Sequence, residues 1–326
     1  MRKKIKIVLL YSIFIILSYY TYTSAEKAFR TDWQLPQSIS QEENQLRLVL
    51  ITYDMETPFW DNVGNGALKK AKDAGVSLEV WGSYGNNKED FLKKFEIAIH
   101  SKVDGIIIQG LDTEEFNQLS KFKASFYGIP IVMVANDVPM TESLRKTYVG
   151  SDQFMAGKMI AEQLLADMGT EGNVILMYDS QLEHYQEQRL LGIQDILLNY
   201  PNIQLIHAET NDTREQVITT TQEIMNQVPD ADAFIVLNAN MLGGMHQEIG
   251  RRSQMEAYFI YSFDDGPESM YLLQNGMLDG MIQQSPEMMG ELSVELMLEW
   301  LNGETVPLDI EGYFTDIFNL KATDVQ

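Results

Sequence analysis

Apolar and polar positions along the chain fall into a regular alternation. LRLVLITY at 46–53 is an apolar run of strand length, and 59–74 follows with helical period and closes at Gly75. The pair recurs as strand 77–81 with helix 88–100, strand 103–109 with helix 113–126, and strand 129–135. Residues 147–150 read as a short strand or crossover. The pattern then restarts with helix 153–168, strand 173–178, helix 183–200, strand 203–208 and helix 213–227. Strand 233–237, helix 241–252, strand 257–262, helix 267–275, strand 278–283 and helix 286–301 complete it. Short apolar runs alternating with helix-period segments predict parallel sheets covered on both faces. Gly128, Pro130, Gly172 and Pro229 stand at element boundaries, where turn residues belong. The expected fold class is α/β: two tandem doubly wound parallel-sheet lobes with a ligand cleft between them.

The first 45 residues lie outside that pattern. Arg2, Lys3, Lys4 and Lys6 precede an uncharged, mostly apolar run from Ile7 to Tyr22. This is the layout of a secretory signal, and Thr23-Ser24-Ala25 resembles a small-residue cleavage site. The run also nears the ~17-residue lower limit of a membrane span. Its Tyr19, Tyr20 and Tyr22 suit an interfacial aromatic belt. Residues 1–25 are therefore a signal or a membrane anchor, and either reading exports the rest of the chain. Residues 26–45, with Pro36 and Glu42-Glu43 and no sustained apolar period, read as a linker.

Composition narrows the chemistry. The net charge is −23, and about −27 once residues 1–25 are set aside, which argues against a nucleic-acid partner. The absence of cysteine excludes disulfides, thiol catalysis, thiolate metal sites and a lipid-anchoring cysteine. His100, His184, His207 and His246 show no metal-ligand spacing, so no metal and no cofactor are expected.

In doubly wound lobes ligands bind at the carboxyl ends of the strands, and the residues there share one chemistry. Thr57-Pro58-Phe59-Trp60 follows the first strand, Gln109 the third, and Asn136 and Asp137 the fourth. In the second half come Asn238, then Asp264 beside Asp265, and Gln284 after Gln283. A sugar offers an apolar C–H face to an aromatic ring and a rim of hydroxyls to carboxylates and amides. Adjacent aromatics with recurring amides and acids therefore point to a sugar. For Phe59-Trp60 the structural alternative is an ordinary core contact at a helix start.

Several segments in order resemble periplasmic sugar-binding proteins of the ribose/galactose-binding type, relatives of lactose-repressor effector domains. Thr57-Pro58-Phe59-Trp60 resembles the family's aromatic sugar clamp, and Val103-Asp104-Gly105-Ile106-Ile107-Ile108 its "vDgiii" strand. Gly128-Ile129-Pro130-Ile131-Val132 and Val149-Gly150-Ser151-Asp152 with Ala156-Gly157 come next in register. Arg189 with Gly192, then Asn238, Asp264 and Gln284, match the ligand motifs of the second lobe. The resemblance implies a type I periplasmic-binding-protein fold. It implies an N-terminal lobe of 46–149 with about 285–312, and a C-terminal lobe of 150–284 with about 313–326. It also implies ligand-binding roles for Thr57, Phe59, Trp60, Gln109, Asn136, Asp137, Arg189, Asn238, Asp264 and Gln284. The implied ligand is a small sugar, or a sugar-like signal such as autoinducer-2. The implied partner is an ABC permease or a sensor histidine kinase. Ala135 where the family carries Asp, Ala239 after Asn238, and Glu187 where ribose binders carry Arg shift the pocket chemistry.

Other classes fit less well. Gly64-Asn65-Gly66 falls inside a helix and meets Lys69 where a dinucleotide turn needs glycine. No GxSxG elbow exists for a hydrolase, and nothing before residue 46 forms a helix-turn-helix. The chain is expected to bind rather than catalyse, an enzyme on a doubly wound fold being the distant alternative.

Overall fold

The computed structural model describes residues 14–22, 45–53, 55, 57–85, 87–252, 258–264 and 266–324. Residues 14–22 are helical and exposed, in a unit of their own that ends at Gln45. Among the described residues no helix is long and apolar enough to cross a membrane. Residues 7–13 of the apolar run, the cleavage-like Thr23-Ser24-Ala25 and the linker up to residue 44 lie outside the described residues.

From Leu46 on, the chain builds two α/β lobes. Strands β1 (Arg47–Thr52), β2 (Ser77–Gly82), β3 (Gly105–Ile108), β4 (Ile131–Val134) and β5 (Thr147–Gly150) form a parallel sheet. A late strand, β11 (Tyr313–Phe314), joins it, giving the order β11-β5-β4-β3-β1-β2. The second sheet takes β6 (Glu171–Asp179), β7 (Asn202–Thr210), β8 (Ala233–Val236), β9 (Phe259–Phe263) and β10 (Gly280–Gln283). With β12 (Phe318–Leu320) antiparallel on β10, its order is β12-β10-β9-β8-β6-β7. β3, β4, β5 and β8 are buried along their whole length, as sheets covered on both faces require. In each sheet the strand order reverses beside the first strand, at β1/β3 and β6/β8. That reversal opens a crevice at the strands' carboxyl ends.

Ten α-helices are described beyond residue 46: α1 (Pro58–Asp73), α2 (Lys88–His100), α3 (Glu114–Asn117), α4 (Met140–Ser143), α5 (Gln153–Met168), α6 (His184–Leu197), α7 (Arg214–Gln227), α8 (Ala239–Arg252), α9 (Pro267–Gln274) and α10 (Pro286–Asn302). α3 runs on as a π-helix over Gln118–Ala124, so the segment expected as one α-helix changes its winding partway. α4, β11 and β12 carry too few residues to show a period.

One helix pair in each lobe meets backbone to backbone. A Cβ on Gly66 of α1 would lie 2.0 Å from the Glu287 carbonyl oxygen, and one on Gly290 of α10 would lie 2.0 Å from that of Val63. In the second lobe a Cβ on Gly157 of α5 would meet the Arg189 carbonyl oxygen at 2.1 Å, and one on Gly192 of α6 that of Phe154 at 2.0 Å. Only glycine permits such approaches. α10 follows β10 of the second sheet yet packs on α1 of the first lobe. The chain therefore passes between lobes three times: at Ser151–Asp152, at Gln284–Ser285 and over Thr315–Ile317.

Candidate functional site

The second lobe's wall is organised around one buried cation. Arg189 lies on α6 with its side chain 2% exposed. Its Nη1 donates to the Leu237 carbonyl at 2.8 Å and to Asp264 Oδ2 at 3.2 Å; Nη2 donates to Asp264 Oδ1 at 3.2 Å. Its Nε donates to Gln153 Oε1 at 2.8 Å. The flat faces of the guanidinium meet Phe263, 4.3 Å to the ring centroid, and Tyr185 at 4.9 Å. A planar fork held by stacking and paired with a carboxylate is an arrangement arginine serves and lysine does not.

Asp264 follows β9 with φ +70°, the left-handed region that costs most side chains strain and aspartate less. This conformation turns its carboxylate back toward α6. Gln284 Nε2 donates to Asp264 Oδ1, and Gln153 Nε2 donates to Gln284 Oε1 at 3.3 Å. Gln153 opens α5 just after the first crossing, and Gln284 is the second crossing itself. The network thus ties this wall of the crevice to two of the three segments that join the lobes. Asp264 remains 27% exposed, so part of its carboxylate faces the crevice. Asn238 stands at the neighbouring end of β8, half-buried, its Oδ1 accepting from the Asn240 N–H at 3.0 Å.

The first lobe brings its expected residues to adjacent strand ends but commits several of them to structure. Thr57 caps α1, accepting from the Trp60 N–H at 3.4 Å, and Pro58 occupies the first helical position. Trp60 is 8% exposed within the packing cluster of Val63 and Leu50; Phe59, edge-on to it at 5.3 Å, is the more exposed ring. Gln109 is buried, its Oε1 accepting from the Tyr53 N–H at 2.8 Å. Asp137 makes a bidentate pair with Arg145, at 2.6 and 2.7 Å, and Arg145 also reaches the Ile310 carbonyl at 2.8 Å. Asn136 is half-buried beside that pair. Asp265 lies outside the described residues.

A cavity of about 460 Å³ opens beside this set, lined from both lobes by Asp137, Arg145, Gln153, Tyr185 and others, and from the last segment by Phe314. Tyr148 closes its floor, donating to the Ala135 carbonyl at 2.9 Å. Burial raises the pKa of both Tyr148 and Tyr185, so each hydroxyl keeps its proton. At the loop after β6, Glu183 is pushed up to about 7, first by burial and then by the charges of Asp179, Asp112 and Asp212. Asp112 belongs to the first lobe, so the two lobes' loops are close enough there to feel each other.

Gln153, Tyr185 and Glu183 were not among the expected site residues. Tyr185 and Arg189 are four apart, the spacing that stacks neighbours on one helix face, and that signal was available. Gln153 directly follows the Ser151-Asp152 motif and carried no signal of its own. Among the described residues no three His, Asp or Glu side chains converge as metal ligands.

Comparison with known proteins returns one architecture. The family profile described as periplasmic binding protein domain matches residues 48–305. The ribose import binding protein RbsB of Bacillus subtilis (strain 168) is 22% identical over 313 residues, covering 96% of this chain and 97% of that protein. The glucose-galactose binding protein GanP of Geobacillus stearothermophilus superimposes with a TM-score of 0.79 at 28% identity, covering 86% of this chain and 99% of its own. XylFII in its complex with LytSN superimposes at 0.74 with 23% identity, covering 86% and 100%.

Proposed function

The chain belongs to the periplasmic binding protein domain family, and from that premise we propose that it captures a small sugar between its lobes, outside the cytoplasm, without transforming it. The observation that carries this reading is the Arg189–Asp264–Gln284–Gln153 network, a fixed set of donors and acceptors placed where the lobes join. A partly exposed carboxylate already held by a guanidinium and an amide is pre-organised to accept hydroxyl protons, so little side-chain entropy is lost on binding. Phe59 supplies an apolar face across the cleft, and Asn238, Asn136 and the amide of Gln109 supply further polar edges. The moving units are residues 46 to about 314, less 152–284, against residues 152–284 with the tail. RbsB and GanP are named for ribose and for glucose and galactose, which supports a monosaccharide; a sugar-like signal such as autoinducer-2 fits the same polar wall.

The bound state is read at the membrane. An N-terminal apolar segment without a lipid-carrying cysteine favours a tethered protein that reports ligand to a neighbouring sensor, and the XylFII relative is seen bound to a second protein, LytSN. Delivery to an ABC permease is the other employment, and it suits a chain cut after Ala25. The mass of the N-terminus on exported protein separates the two. For the ligand itself, a melting screen over pentoses, hexoses and polyols should find at least one that raises the midpoint. Ligand at ~100 times its Kd adds about 2.7 kcal/mol. A flat screen, together with a shift by a ligand lacking a polyol rim, would sink the sugar reading.

A further inference from the structure

We infer that the monosaccharide unit held at Asp264 carries a second ring: the ligand is a neutral disaccharide, and its second ring fills the cavity beside the Arg189 network. The inference rests on the sugar reading of the cleft and names the class of sugar. Topology makes the cavity a lateral continuation of the crevice. In the first sheet the order runs β11-β5-β4-β3-β1-β2, with the crevice at β1/β3. Asp137 follows β4, Ser151 follows β5 and Phe314 ends β11, and all three line the cavity. These strands are parallel neighbours, so the cavity passes over successive carboxyl ends on one side of the crevice. Facing them are Phe154 in the first turn of α5, and Tyr185 and Gln188 on α6, the helix that carries Arg189. Two side chains belong to both spaces. Gln153 lines the cavity while its amide holds Arg189 and Gln284, and Tyr185 lines it with its ring against the guanidinium.

The chemistry of the cavity fits a sugar ring. Its volume of about 460 Å³ lies within the ~300–1,000 Å³ of small-molecule sites. Tyr148, Phe154, Tyr185 and Phe314 bring aromatic side chains to it, and the Tyr148 and Phe314 rings meet edge-on at 6.4 Å. Aromatic faces receive the C–H side of a pyranose. Ser151 is 1% exposed, and its Oγ has no hydrogen-bond partner among the described residues. A buried hydroxyl left so is costly, and a ligand hydroxyl arriving from the cavity satisfies it. Charge makes the second ring neutral. Among the described lining residues Arg145 is the one Lys or Arg, and its donors already go to Asp137 and the Ile310 carbonyl. Asp152 and Glu311 add negative charge, so a phosphate or carboxylate on the ligand is repelled.

Calorimetry on the full chain tests this with two panels. One holds D-glucose, D-galactose, D-xylose and D-ribose; the other holds lactose, cellobiose, melibiose and xylobiose. At least one disaccharide should bind about tenfold tighter than either component monosaccharide, the gain expected of one or two ring contacts. Thr141→Trp, at an exposed position of α4 that lines the cavity, should erase that gain and leave monosaccharide affinity unchanged. Phe314→Ala, at a position 53% exposed, should lower disaccharide affinity several-fold by removing one aromatic face. Disaccharides that bind no tighter than monosaccharides overturn the second ring and leave the sugar reading standing. Silence from both panels and from the melting screen overturns both. A disaccharide preference that neither variant moves places the second ring elsewhere and overturns the proposal. A Thr141→Trp chain that loses monosaccharide and disaccharide equally makes the cavity the seat of the first ring, with the same consequence. Glucose 6-phosphate bound more tightly than glucose also overturns it, because the cavity then accepts an anion.

Discussion

Asp264 is where backbone conformation and the proposed binding chemistry meet. Its left-handed φ is tolerable to aspartate or asparagine, so Asp264→Asn keeps the turn and removes only the charge. Charge-assisted hydrogen bonds contribute about 1.5–3 kcal/mol each, and two of them to a sugar would weaken to neutral ones. Asp264→Asn should therefore cost about a hundredfold in sugar affinity by calorimetry. It also leaves the buried Arg189 short of its counter-ion. Breaking a buried pair costs about 3–5 kcal/mol, but Asp264 is a quarter exposed and Arg189 keeps Leu237 and Gln153, so about 2 kcal/mol of stability is expected. The two rings of the first lobe should separate in the same way. Trp60→Ala empties a buried site and should cost about 3–5 kcal/mol in denaturant unfolding, whereas Phe59→Ala should lower affinity by about 1–3 kcal/mol and move stability less. Sequence identifies these positions by residue type and place in the strand–helix order. It does not reveal which are already saturated. Thr57 is occupied as a helix cap and Asp137 by Arg145, because capping and ion pairing depend on neighbours that only the folded chain supplies.

At the scale of elements, the glycine-bonded helix pairs set how precisely the wall is placed. α6 approaches α5 so closely that Gly157 faces the carbonyl of Arg189 itself. Gly157→Ala must push α6 outward; overpacking of this kind costs about 1–3 kcal/mol. The displacement also carries Arg189 away from Asp264, so affinity should drop about tenfold alongside the fall in melting midpoint. Gly290→Ala imposes the same strain on α1 and α10 but leaves Arg189 in place, so a comparable loss of stability should come with a smaller loss of binding. The helices and strands of both sheets were legible because each buries a face or a whole run, and burial writes a period into the sequence. β11 and β12 were not. Two and three residues show no period, and their positions are set by pairing to β5 and β10 across more than a hundred and about thirty residues of chain respectively. The π-helical turn after α3 is invisible for a related reason: it changes the winding of the helix and leaves its apolar face intact.

Across the whole molecule, two acidic lobes face each other at the cleft, and Glu183 is where their mutual repulsion becomes measurable. Its carboxyl titrates at about 7 in the folded chain against an ordinary 4.5, raised first by burial and then by Asp179 and Asp212 of its own lobe and Asp112 of the other. Between those values the folded state binds a proton that the unfolded state does not. Stability therefore falls as pH rises through that window and levels off above about 7. Glu183→Gln removes the titration, so the melting midpoint of the parent relative to this variant should decline between about pH 5 and about pH 8. Taking the difference cancels the other carboxylates, which titrate in both proteins. In the proposed hinge closure the loop of Asp112 would approach that of Glu183, so the same proton should favour the sugar-bound form, by the rule that a ligand shifts an equilibrium through its differential affinity for two states. Calorimetry should show the parent binding sugar more weakly at about pH 8 than at about pH 6, and Glu183→Gln holding nearly constant over that range. Small-angle scattering should show the saturating sugar shrinking the parent's radius of gyration, with the variant needing less sugar to reach the compact form at the higher pH. If parent and variant track each other in both titrations, the Glu183 proton is not coupled to closure. If scattering shows no contraction at saturating sugar, the lobes do not move as hinged bodies and the three crossings act as a fixed frame.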